Sequence, residues 1–141
     1  MLVLLLAACP SESPGKESSD PGDLAATAEK VGDCKSSAAK SAEPDSGYVA
    51  EFSMSAEVVG DDVVLHMVDV DANCCPSPGA AISTDGSTIT VDFSDVTADT
   101  ACDCNCVFDF DVTIADVPSG TWTLDVYDDG VSRGTLEVTV P

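Results

Sequence analysis

From Cys102 to Ile114 every second residue is a cysteine or a large apolar side chain: Cys102, Cys104, Cys106, Phe108, Phe110, Val112 and Ile114. Between them, apart from Val107, stand acids and small polar residues: Asp103, Asn105, Asp109, Asp111 and Thr113. Side chains alternate across a strand, so this order sends the apolar set to one face and the acids to the other. Helical periodicity is absent throughout this half of the chain.

The same period runs from Gly47 onward. Tyr48, Ala50, Phe52, Met54, Ala56 and Val58 alternate with small or acidic residues, and Gly60-Asp61-Asp62 turns the chain into Val63 to Val70. Asp85-Gly86 precedes Ile89, Val91 and Phe93. Pro118-Ser119-Gly120 leads into Trp122, Leu124 and Val126, and Asp128-Asp129-Gly130 leads into Leu136, Val138 and Val140. Short alternating runs separated by regular turn signals predict an all-β chain, an antiparallel β-sandwich of six or seven strands over residues 47–141. A length of 141 residues leaves room for one such domain and hardly a second.

The N-terminal third differs. Leu2 to Leu6 is apolar and too short to span a bilayer, which takes ~20 residues as a helix. Leu6-Ala7-Ala8-Cys9 resembles a bacterial lipobox. The resemblance implies a signal peptide over 1–8, lipidation of Cys9 through a thioether to diacylglycerol, and a membrane partner engaged by the acyl chains. It also implies a cell-envelope address, at the outer membrane facing the periplasm or the cell surface. No Lys or Arg precedes the apolar run, and its brevity suggests a start codon further upstream. Residues 9–46 read as a tether, because Ser, Pro and Gly fill 15 of the 37 positions from Pro10 to Ser46 and no aromatic side chain is present to bury. Within it, Asp23 as cap, Leu24, Ala28 and Val31 on one face and Gly32 as stop predict a short helix over 23–31.

Two further resemblances bear on fold. Pro118-Ser119-Gly120-Thr121-Trp122, followed by Leu124 and Val126, is similar to the last hairpin of immunoglobulin-like and fibronectin type III-like modules. The run Cys102 to Asp109 looks like the cysteine-rich strands of small bacterial lipoproteins. These resemblances imply an immunoglobulin-like sandwich with an adhesion, recognition or spacing role and a protein or glycan partner.

With Cys9 set aside, six cysteines remain: Cys34, Cys74, Cys75, Cys102, Cys104 and Cys106. Even parity in an exported domain predicts disulfides. Cys102, Cys104 and Cys106 share a strand face at steps of about 6.5–7 Å, too far apart to bridge one another. Adjacent Cys74 and Cys75 are poor mutual partners too, so each strand cysteine is expected to take one partner among Cys34, Cys74 and Cys75. The alternative is a thiolate site for Cu(I) or Zn built from Cys74, Cys75, Cys102, Cys104 and Cys106. An oxidising compartment and the one-residue spacing weigh against it.

Other chemistry is sparse. His66, flanked by Leu65 and Met67, is expected to be a packed or rim residue rather than a base. No nucleophile elbow, zinc-protease motif or phosphate-cradling loop occurs, so no enzymatic activity is expected. Asp69, Asp71 and Asn73 follow a calcium-loop rhythm, but Cys74 and Ala80 stand where an EF-hand needs Gly and Glu. Looser calcium sites between loops would draw on Asp61, Asp62, Asp95, Asp99, Asp128 or Asp129.

The formal net charge is −21, from 26 acids and 5 basic residues, which excludes phosphate-backbone binding to nucleic acid. Acids on outward faces and turns keep strand edges from pairing and keep the module soluble. Their mutual repulsion should be screened by salt, so the melting temperature is expected to climb between low and moderate NaCl. A flat response would count against that repulsion. Together these features predict a lipid-anchored, disulfide-stapled, non-enzymatic binding or structural module.

Overall fold

The computed structural model describes residues 24–39 (36–39 by backbone alone), 51–95 and 101–141. Eight strands run through them: β1 (Ala25–Ala39), β2 (Ser53–Val59), β3 (Asp62–Asn73), β4 (Gly79–Asp85), β5 (Thr88–Ser94), β6 (Cys104–Ala115), β7 (Gly120–Asp128) and β8 (Val131–Val140). They form two four-stranded sheets, ordered β1-β6-β3-β2 and β4-β5-β7-β8. Residues 1–23, with the signal segment and Cys9, lie outside the described residues, as do Tyr48, Ala50 and Asp99. Among the described residues no helix is long and apolar enough to cross a membrane.

The period-two pattern dictates how the sheets meet. Val63, Leu65 and Met67 of β3 and Phe110, Val112 and Ile114 of β6 are buried. They share one core with Ile89, Val91 and Phe93 of β5 and Leu124 and Val126 of β7. Phe93 and Phe110 touch across the sheets, ring centroids 4.8 Å apart and tilted by 50°, a favoured arrangement for aromatic pairs. Trp122 is buried at one end, and its indole N–H donates to the Pro118 carbonyl at 2.8 Å, so no polar atom is stranded. The sheets also meet along their edges, β1 beside β4 and β2 beside β8. There Gly134 of β8, at φ 119°, leaves room for Met54; a Cβ would sit 3.2 Å from the Met54 methyl carbon.

Four features differ from the sequence reading. Of the segment expected to be a helix over 23–31, Asp23 lies outside the described residues and Ala25 onward is the start of β1, an edge strand antiparallel to β6. Leu24, Ala26 and Ala28 pack on the core while Ala25, Thr27 and Glu29 face water, a period of two. Sheet pairing overrides the helix propensity of alanine, and Gly32, at φ 73°, belongs to a bulge rather than a helix stop. The β-domain therefore takes in residues assigned to the tether, and its boundary lies N-terminal to 47. The second difference is β4, a strand the sequence reading did not single out. Its Ala80 and Ile82 are only half-buried, so its apolar signal is weak. Thirdly, the strands number eight in all, because β1 adds to the seven that lie within residues 47–141, where six or seven are expected.

The fourth difference is that β5 and β7 pair in parallel, the other pairs being antiparallel. Between them the chain crosses to the other sheet and returns through β6, which supplies the long connection a parallel pair needs.

Candidate functional site

All six cysteines of the domain are joined: Cys34–Cys106, Cys74–Cys104 and Cys75–Cys102, with Cα separations of 5.8, 5.6 and 5.5 Å. Each cysteine of the 102–106 run takes one partner among Cys34, Cys74 and Cys75, as strand geometry requires. The Cys34–Cys106 bridge ties edge strand β1 to β6, with Cys106 buried at the end of the core. The other two bind the chain leaving β3 to the chain entering β6.

Asn73, the last residue of β3, organises that end. Its side-chain carbonyl accepts from the backbone N–H of Cys75 at 3.0 Å and of Cys102 at 2.9 Å, and its amide donates to the Cys102 carbonyl at 2.8 Å. The Cys74 N–H donates to the Cys104 carbonyl at 3.2 Å. Below it, the buried carboxylate of Asp95 accepts from the backbone N–H of Asn73, and the Asp95 carbonyl accepts from Ser77 at 2.7 Å. Both strand ends are thus held by hydrogen bonds as well as by sulfur.

The Sγ atoms of Cys74, Cys75 and Cys102 all lie within 4.8 Å of one another. In this oxidised form each is spent in a disulfide, so none is a thiolate. The five-cysteine set of the alternative reading is divided, since Cys106 is buried and bonded to Cys34.

The acids named for calcium have local work. Asp62 accepts from the Asp116 N–H at 3.1 Å, and the Asp61 carbonyl accepts from Val117 at 2.8 Å, which ties the β2–β3 turn to the end of β6. Asp128 is buried and paired with Arg133, whose guanidinium also lies over the Phe52 ring, 5.1 Å from its centroid. Burial pushes the Asp128 carboxyl up, against the opposing pull of Arg133. The Asp129 N–H donates to the Phe93 carbonyl at 2.8 Å.

On the outer face of the β1-β6-β3-β2 sheet, two charge groups escape a sequence reading. The first rests on a pair of bulges. The register slips between Val31 and Ser36 in β1 and between Met67 and Val70 in β3, on either side of β6. Asp69, at φ 60°, sits in the second bulge, and its N–H donates to Asp109 Oδ1 at 3.0 Å. Lys35, from the first, reaches Asp109 at 2.6 Å and Asp69 at 2.8 Å. Hydrogen bonds to these two carboxylates raise the Lys35 pKa well above the usual lysine value. The only trace in the sequence is the phase change of β3, from Val63, Leu65 and Met67 to Val70 and Ala72.

The second group is His66, directly opposite Asp111 across the β3–β6 pair, with Nδ1 2.7 Å from Asp111 Oδ1. Glu57 on β2 lies 3.5 Å from Nε2. The hydrogen bond to Asp111 raises the His66 pKa, desolvation opposes it, and the charges of Asp111 and Glu57 add to the rise. A raised folded-state pKa stabilises the fold fully below the unfolded value of about 6.5, and that stability is lost as pH climbs through the folded value. This is the sole histidine, so a proton NMR titration reads it alone. The midpoint is expected above 6.5 and should fall back in Asp111→Asn; a midpoint at or below 6.5 would contradict the pairing.

Comparison with protein-family models, with curated proteins and with solved structures gives no match to this chain.

Proposed function

We propose that this chain is a lipid-anchored protein of the bacterial cell envelope whose β-domain is a non-enzymatic binding or structural module. The observation that carries this reading is the complete pairing of six domain cysteines behind a lipobox-like Leu6-Ala7-Ala8-Cys9. Structural disulfides at this density belong to exported chains, where thiols are not kept reduced. Two or three acyl chains, at ~0.8 kcal/mol per buried methylene, anchor stably where one does not. The acidic exterior suits a module that stands off an anionic surface.

We read the sandwich as immunoglobulin-like. In favour stand the β7–β8 hairpin and the pairing of β3 with β6, two strands separated in sequence by a hairpin of the opposite sheet. The parallel β5–β7 pair departs from that plan. The recognition partner of such a module would be a protein or a glycan engaged by its loops.

The test is expression of the full chain in a bacterium with an intact export pathway. Expected is a membrane-bound product cut before Cys9 and carrying acyl mass on it, with Cys9→Ala left unprocessed and unacylated. Uncut, unacylated wild-type chain in an exporting host would overturn the anchor.

A further inference from the structure

We propose that reduction of two disulfides converts the end of the sandwich into a four-thiolate site, Cys74, Cys75, Cys102 and Cys104, for a soft divalent cation of the zinc type. The Sγ atoms of Cys74, Cys75 and Cys102 already lie within 4.8 Å of one another, and that of Cys104 is bonded to Cys74. Zinc–sulfur bonds of about 2.3 Å give a tetrahedron with edges of about 3.8 Å, the scale on which the Sγ atoms of Cys74, Cys75 and Cys102 already cluster, so each bonded pair has only to part. What keeps them together without the bridges is the backbone. Asn73 holds the main chain of Cys75 and Cys102, and the Cys74 N–H holds the Cys104 carbonyl.

Access is graded. Cys75 is exposed and Cys102 half-buried, so a reductant meets their bridge first, whereas Cys106 shelters the third bridge in the core. The thiols released there stand beside Cys74, placed for exchange with the second bridge. Two equivalents of a dithiol reductant are oxidised to disulfides as the two bridges become four thiols. The cation then displaces four protons and leaves a site of charge −2. Thiolates in an acidic surround are costly on their own, and the cation removes that cost. The inference goes beyond the module reading: failure here leaves anchoring untouched, and unacylated Cys9 leaves this site untouched.

The test uses the full chain in mild detergent, reduced with a phosphine that does not itself bind metal, and titrated with cobalt(II). Cys9→Ala is the background, so that the lipidation cysteine supplies no thiol. Expected is one cobalt per chain with the intense visible bands of tetrahedral thiolate coordination, displaced by zinc, while far-ultraviolet circular dichroism keeps its strand signature. The oxidised chain should give no such bands. Cys75→Ser with Cys102→Ser should abolish them, and Cys34→Ala with Cys106→Ala should retain them. A pale carboxylate-type spectrum, bands that survive Cys75→Ser with Cys102→Ser, or bands that form only as the strand signature is lost would each overturn the proposal.

Discussion

Replacing Cys34 and Cys106 together by alanine is expected to lower the free energy of unfolding by about 4 kcal/mol, the loop-closure value for a bridge across 72 residues. The bridge joins edge strand β1 to β6 where the β1 register has just slipped, so its loss should also free β1 first. Alanine is the right replacement because a serine at position 106 would bury a hydroxyl. The same change at Cys75 and Cys102 should cost far less. Their 27-residue loop lies inside the 30-residue loop of Cys74–Cys104, which already holds both ends together. Urea denaturation of the two double variants measures the difference. Equal losses would mean that β1 is not held by its cysteine.

Phe110→Ala should be as severe, about 3–5 kcal/mol, since truncating a fully buried ring removes its transfer energy and leaves a cavity. Phe110 has no exposed surface and stands between Phe93 of the opposite sheet, 4.8 Å away, and Phe108 of its own strand, at 6.1 Å. Combining Phe110→Ala with Phe93→Ala should cost less than the sum of the two, because the rings share one contact. Strict additivity in denaturant melts would show that the sheets do not meet there.

Strands with a strong alternating core were legible in the sequence. In β6 six inward positions, from Cys104 to Ile114, are cysteine or large apolar residues, and β5 and β7 are nearly as plain. Legibility failed where burial is partial. The inward residues at the start of β1 are Ala26 and Ala28, too small to mark a period with Leu24 just before them, and Leu24, Ala28 and Val31 fit a helical face equally well. β4 offers Ala80 and Ile82 alone. Strand order was not written locally either: the parallel β5–β7 pair follows from how the chain crosses between sheets. Parity and strand spacing left open which cysteine of 34, 74 and 75 meets which of 102, 104 and 106. Asn73, which ties the two bridged segments together, looked like part of a calcium rhythm because its partners Cys75 and Cys102 are distant in sequence or local to a turn. The Lys35–Asp109–Asp69 group depends on two bulges that no motif announces.

The most direct measurement is a disulfide map of the chain produced in an oxidising compartment, by denaturing alkylation followed by stepwise reduction, differential labelling and mass analysis. The expected result is no alkylated thiol among the six domain cysteines before reduction, and three bridges joining 34 to 106, 74 to 104 and 75 to 102. Free thiols without reductant, or a bridge between any two of Cys102, Cys104 and Cys106, would contradict the stapled sandwich.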